Sequence, residues 1–186
     1  MTLFINSCVR KESRTLILAK HLLEKLGGEC DELVLEKENI APLNGKTLAE
    51  RDSFIAEGKL DADMLKYARQ FAEADTIVIA APYWDLGFPA LLKSYLETIT
   101  VTGITFRYES GIPVGMCKAK KLYYVTTVGG PVFADFGYEY VKAMANGYYG
   151  IGETHCFKAE NLDIWGADTI AIMEKAKKDI DNHFSE

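Results

Sequence analysis

Three short segments carry the residue types that hold small anionic and aromatic molecules. The first, Asn6 to Thr15, offers the hydroxyls of Ser7, Ser13 and Thr15 and the guanidinium groups of Arg10 and Arg14. Placed between a strand and a helix, such groups converge with the free N–H donors of the helix N-terminus, the usual seat of a phosphate. The second, Pro82-Tyr83-Trp84-Asp85-Leu86-Gly87-Phe88-Pro89, puts three large aromatics among two prolines and a glycine. An aromatic-rich loop of this kind flanks a flat heteroaromatic ring while its backbone bonds the ring's polar edge. The third, Thr126-Thr127-Val128-Gly129-Gly130-Pro131, has paired glycines that let backbone approach a ligand closely. Taken singly, each has an ordinary reading: a helix cap with solvated arginines, aromatics covering a sheet end, and a simple turn. The first loop is neither Gly-x-Gly-x-x-Gly nor Gly-x-x-x-x-Gly-Lys-Ser/Thr, which disfavours a dinucleotide-fold dehydrogenase and a P-loop NTPase.

The elements around these segments decide whether they meet. Leu3-Phe4-Ile5 is a short strand, and Ser13 caps a helix whose stripe Leu16, Ala19, Leu23 and Leu26 stops at Gly27-Gly28. Leu33-Val34-Leu35 is a second strand, followed by a polar connection over 37–60 with a short helix from Thr47 to Glu57. Asp61 is placed to cap the next helix. Thr76 to Ala81 is apolar without alternation, as befits a strand covered on both faces. A helix over 88–99, an irregular stretch over 103–119, a strand over 122–127, a helix over 137–149, a strand over 154–159 and a helix over 168–183 complete the chain. Strand and helix alternating five times predict an α/β fold, a doubly wound five-stranded parallel sheet with helices on both faces. Such sheets bind ligands at the carboxyl ends of their strands. All three segments fall there.

With 186 residues the chain is expected to form a single domain, 1–186, large enough to need no metal or disulfide staple. Its 21 basic and 27 acidic residues leave a net charge of −6, which argues against a nucleic-acid binder or a polybasic membrane anchor. Cys8, Cys30, Cys117 and Cys156 are far apart and form no zinc-type cluster with histidine, so no metal site is expected. The longest apolar run, Ile77 to Pro82, is too short to span a membrane, and the first residues lack a signal-peptide pattern. The expected home is the cytoplasm.

The segment Pro82 to Glu97 resembles the flavin-loop-plus-helix signature of FMN-dependent azoreductases and NAD(P)H:quinone reductases. Gly103-Ile104-Thr105-Phe106-Arg107-Tyr108, Thr126 to Gly130 and Ala159-Glu160-Asn161-Leu162-Asp163 are similar to further stretches of that family. The resemblance implies a flavodoxin-like fold, FMN rather than FAD as cofactor, NAD(P)H as co-substrate, and a homodimer with each flavin at the subunit boundary. It implies that Ser7, Ser13, Arg14 and Thr15, with Arg10 beside them, hold the FMN phosphate. Pro82, Tyr83, Trp84, Asp85 and Leu86 then line the ring, and Thr127, Gly129 and Gly130 meet its pyrimidine edge. The chain departs from the family at Asp85, where Asn is common, and at Glu97, where Asp is common.

The expected activity is ping-pong transfer of hydride from NAD(P)H through FMN to a quinone, azo or nitroaromatic acceptor. No catalytic side chain is assigned, and His21, His155 and His183 are read as structural or solvated. A flavodoxin-type electron carrier and a non-catalytic flavin-binding regulator are the alternatives. The dimer contact is expected around Trp84 and 103–115, with Tyr83, Trp84, Phe88 and Phe106 forming an exposed patch.

Overall fold

Residues 1–185 are described by a computed structural model. In chain order the elements are β1 (Thr2–Asn6), α1 (Arg14–Leu26), β2 (Cys30–Val34), α2 (Gly45–Ala56), α3 (Lys66–Glu73), β3 (Thr76–Ala80), α4 (Ala90–Ile99), β4 (Phe106–Glu109), β5 (Ile112–Gly115), β6 (Lys121–Thr127), α5 (Tyr138–Met144), β7 (Glu153–Ala159) and α6 (Thr169–His183). Five strands form one parallel sheet in the order β2-β1-β3-β6-β7. The expected flavodoxin-like sheet is present.

Residue alternation along the strands divides the core in two. Leu3, Ile5, Ile77, Ile79, Leu122 and Tyr124 face α3, α4 and α5, packing on Phe71, Leu92, Leu96 and Val141. Phe4, Val78, Tyr123, Val125 and Phe157 face α1 and α6, packing on Leu18, Leu22, Met173 and Ile180. With both faces covered, the central strands have no solvent side to mark with polar residues, which explains the unbroken apolar run at 76–81. The chain leaves β1 toward one face and β3 toward the other. The ends of these two adjacent strands therefore open a crevice at the switch point.

Several local expectations are corrected. The second strand is Cys30–Val34, and Leu35 begins a 3₁₀ turn instead of extending it. Asp61 does not cap α3, which starts at Lys66 after a 3₁₀ turn over Asp63–Leu65. The stretch 103–119 contains an antiparallel hairpin, β4–β5, held by Gly103, whose φ of 87° suits the turn and whose N–H donates to the Phe106 carbonyl at 2.7 Å. The expected helix at 137–149 changes at Ala145 to a π-helical turn ending at Gly150, with φ of 74°. Ser13 does cap α1, its Oγ accepting from the Leu16 N–H at 3.2 Å.

Candidate functional site

The first strand end is fixed by its own polar residues. The Asn6 side chain accepts from the Cys8 N–H at 3.0 Å and donates to Glu32 of β2 at 2.8 Å. Ser7 is fully buried; its N–H and hydroxyl both donate to the Ala80 carbonyl, at 3.0 and 2.8 Å. The Ser7 hydroxyl is thus a peg between β1 and β3, and it does not line the cavity described below. A buried hydroxyl with a strong carbonyl acceptor has little reason to turn toward a ligand. Cys8 is also buried, which pushes its thiol up to about 11 despite a hydrogen bond with Ser13. It remains a neutral thiol at physiological pH and is not a nucleophile.

Beyond Cys8 the loop feeds α1, and a cavity of about 140 Å³ opens between the strand ends. Arg10, Glu12, Ser13, Arg14 and Thr15 line it from the first loop, and Pro82, Tyr83 and Trp84 from the second. Thr127, Val128 and Gly129 line it from the third, with Asp163 from the connection after β7. The Tyr83 N–H donates to the Thr127 carbonyl at 3.2 Å, and the Thr15 and Thr127 hydroxyls meet at 2.6 Å, so the three loops are bonded to one another. The third loop and the connection after β7 are laced together through Leu162 N–H to Val128 (3.1 Å) and Asp163 N–H to Gly129 (2.8 Å). Gly129 sits against the Asp163 side chain, which a Cβ at that position would push aside.

Trp84-Asp85-Leu86-Gly87 forms a tight two-residue turn, with hydrogen bonds in both directions between Trp84 and Gly87 (3.2 and 2.8 Å). Both central residues have positive φ, 49° at Asp85 and 67° at Leu86, as a type I′ turn demands. Leu in this region carries strain of about 1 kcal/mol or more. The Phe136 N–H, donating to the Leu86 carbonyl at 3.0 Å, and the Tyr83 hydroxyl, donating to Ala134 at 2.6 Å, hold the turn in place. Asp85 lies exposed at its tip, and α4 starts at Ala90 without a side-chain cap, so Asp85 is not a capping residue. Asp85, Leu86 and Gly130 stand outside the cavity lining.

Glu12, Val128 and Asp163 are lining residues that the loop reading missed. For Asp163 a signal existed: it follows the fifth strand, and the strand-end rule points to that connection as much as to the other three. A larger cavity, about 440 Å³, lies between the 38–47 segment, α2 and α3, away from the switch point. Its walls mix Glu38, Asp63, Arg51 and Lys66 around Ile40 and Leu43 and draw on none of the three loops, so volume alone does not locate the site.

The expected exposed patch is also corrected. Phe106 is buried, edge-on to Tyr148 at 5.1 Å, and Phe88 packs on Tyr140 at 5.7 Å. Trp84 is exposed as expected, and near the strand ends and hairpin it is joined by Leu86, Tyr108, Ile112, Phe133, Phe136 and Trp165. None of the three histidines lines the cavity; His21 meets Asp181 at 2.8 Å and His155 meets Glu153 at 2.9 Å. The cysteines provide a check on burial. Cys117 and Cys156 are pushed up to about 12 by desolvation, whereas Cys30 is exposed. Near neutral pH iodoacetamide should therefore label Cys30 first, and the others only on unfolding. Labelling of Cys8 as fast as Cys30 in the folded protein would contradict its placement.

Comparison with known proteins agrees with this architecture. Residues 1–184 match the family model described as flavodoxin-like fold. The chain is 40% identical over 187 residues to the FMN-dependent NADH:quinone oxidoreductase of Lachnoclostridium phytofermentans, covering 95% of this chain and 93% of that protein. It is 37% identical over 193 residues to the FMN-dependent NADH:quinone oxidoreductase 2 of Clostridium acetobutylicum, covering 95% and 96%. The crystal structure of an FMN-dependent NADH-azoreductase from Bacillus anthracis in complex with FMN superposes with a TM-score of 0.82 at 23% identity, covering 99% of this chain and 97% of that one. At that identity the superposition speaks for the fold, whereas the two relatives are similar over nearly their whole length. The chain belongs to the flavodoxin-like fold family and, within it, to the FMN-dependent NADH:quinone oxidoreductases.

Proposed function

We propose that this chain binds FMN with its phosphate in the cavity at the β1/β3 switch point, and that it reduces quinones, azo compounds or similar flat electrophiles at the expense of NADH. The observation that carries this is the convergence of three loops on one cavity that combines Arg10, Arg14, Ser13 and the α1 N-terminus. This donor set fits a phosphate ester: two guanidinium groups, a hydroxyl and the first N–H groups of a helix all face one small space. The cavity, at about 140 Å³, is below the roughly 300 Å³ of sites that engulf a drug-sized ligand. It suits the phosphate end of the cofactor and leaves the ring on the open rim of the second and third loops.

When bound, FMN supplies two-electron transfer between a reduced nicotinamide and an oxidising acceptor. The chain supplies position and charge. Arg10, Ser13 and Arg14 anchor the phosphate, and Tyr83 and Trp84 frame the ring on a turn whose strained geometry is held by Phe136 and Ala134. The N–H groups of Gly129 and Gly130, whose carbonyls accept from Asp163 and Asn161, donate to no backbone group among the described residues and are available to an electron-rich pyrimidine edge, stabilising negative charge there without any titrating group. An open ring site is completed by a second copy of the chain, to which Leu86, Tyr108 and Ile112 offer apolar surface. Both substrates then share one open face, which requires ping-pong order. The four free cysteines suit a reducing cytoplasm, and no helix among the described residues is long and apolar enough to cross a membrane.

The purified protein should show flavin absorbance, with FMN identified by mass spectrometry, and NADH oxidation by a quinone should give parallel double-reciprocal lines. Sedimentation should show the flavin-loaded form as a dimer. A colourless protein that takes up neither added FMN nor FAD would sink the reading, and intersecting lines would replace ping-pong order with a ternary complex.

A further inference from the structure

The cavity assigned to the phosphate contains as many anions as cations: Arg10 and Arg14 face Glu12 and Asp163. A phosphate ester carries a charge of about −1.5 to −2 near neutral pH, so each carboxylate opposes it. Asp163 does more than oppose. Its Oδ1 accepts from Arg14 Nη2 at 2.6 Å, taking one of the guanidinium's donors and neutralising charge that a phosphate would draw on.

We propose that Asp163 is a built-in competitor, an internal carboxylate that occupies Arg14 and sets the cofactor affinity below what the cavity's donors allow. This rests on the proposed phosphate site and adds a residue that limits it. The geometry makes the competition reversible. Arg14 is held twice, by Asp163 through Nη2 and by the Leu162 carbonyl through Nη1 at 3.1 Å. The second bond keeps the guanidinium in place when Nη2 is released. The backbone carrying Asp163 is fixed independently of its carboxylate, by N–H donation from Asn161, Leu162 and Asp163 to Gly130, Val128 and Gly129 at 3.2, 3.1 and 2.8 Å, and by the buried Leu162 side chain. The carboxylate itself is 62% exposed and Arg14 34%, so breaking the pair costs the fold little and lets Asp163 turn to water.

Asp163→Asn keeps the shape against Gly129 and removes the charge. FMN and riboflavin, which differ by the phosphate, should be titrated by flavin fluorescence against the wild type and this variant. The expected result is about tenfold tighter FMN binding in Asp163→Asn, with riboflavin unchanged. In an Arg14→Gln background the gain should shrink, because no guanidinium remains for which the carboxylate and the phosphate compete. Unchanged or weaker FMN binding by a folded Asp163→Asn protein overturns the proposal and makes Asp163 a residue that orients Arg14 for the phosphate. An equal gain for riboflavin also overturns it, since the effect then lies away from the phosphate. If Asp163→Asn does not fold, Asp163→Ser carries the same comparison. A wild type that binds neither flavin rejects the proposed function itself, a result distinct from either.

Discussion

Gly115→Ala should lower the thermal unfolding midpoint by about 10 °C. Gly115 ends β5 with its Cα against the backbone of Tyr149 and Gly150, and a Cβ there would lie well under 3.0 Å from the Gly150 N and the Tyr149 carbonyl carbon. These obstacles are backbone atoms, which no rotamer change can move. Nor can the backbone retreat easily. The Cys117 N–H donates to the Tyr149 carbonyl at 3.2 Å and the Met116 N–H to Thr105 at 2.9 Å. Tyr149 is buried edge-on to Phe71 at 4.9 Å and its hydroxyl meets Thr100 at 2.8 Å. Overpacking of this kind costs about 3 kcal/mol or more, and at 2–4 °C per kcal/mol for a chain of this size that is about 10 °C. Gly147→Ala is the control, because a Cβ at Gly147 meets nothing within 4 Å. A Gly115→Ala midpoint no lower than that of Gly147→Ala would show that β5 and the π-turn do not pack as described.

Arg14→Gln should weaken FMN binding by about a hundredfold. A hydrogen bond to a charged partner contributes about 1.5–3 kcal/mol, and about 1.4 kcal/mol is a factor of ten in affinity. The substitution removes the positive charge at the mouth of α1 and also leaves Asp163 without its ion-pair partner, facing the phosphate uncompensated. The two effects act in the same direction, which puts the expected loss in the upper part of the range. Riboflavin affinity should change little, so the ratio of the two constants isolates the phosphate. Equal losses for both flavins would mean that Arg14 shapes the loop instead of binding the phosphate, and no loss would move the phosphate elsewhere.

The fold was legible because its signals are local and repeated. Apolar runs such as Thr76 to Ala81, the stripe of α1 and the Ser13 cap are properties of neighbouring residues, and one- or two-residue errors at element ends do not change their order. The strand-end rule then brought Arg10, Ser13, Arg14, Thr15, Pro82, Tyr83, Trp84, Thr127 and Gly129 to one cavity from three distant stretches of chain. Turns and short helices were less legible. Asp61 has a capping side chain but starts no α-helix, because Leu65 must reach the core and the 3₁₀ turn over Asp63–Leu65 puts it there. The hairpin at 106–115 has no long apolar alternation to announce it; it exists because Gly103 and the Tyr149–Gly150 backbone receive it.

What the sequence by itself determined is the order of strands and helices, the two-sided burial of the sheet, and the set of loops that must share one end of it. Its periodicity and cap residues are enough for that, since each is decided within one or two helical turns or a few strand residues. Only the tertiary structure decided which polar groups in those loops are free to meet a ligand. Ser7 and Arg14 look equally available in the chain. Yet Ser7 is consumed by the Ala80 carbonyl across β1 and β3, while Arg14 stands at the cavity held by Leu162 and Asp163, 148 and 149 residues away along the chain. A side chain's hydrogen-bond partners are set by whichever groups the fold brings within about 3 Å of it, and that distance is settled by packing across the sheet.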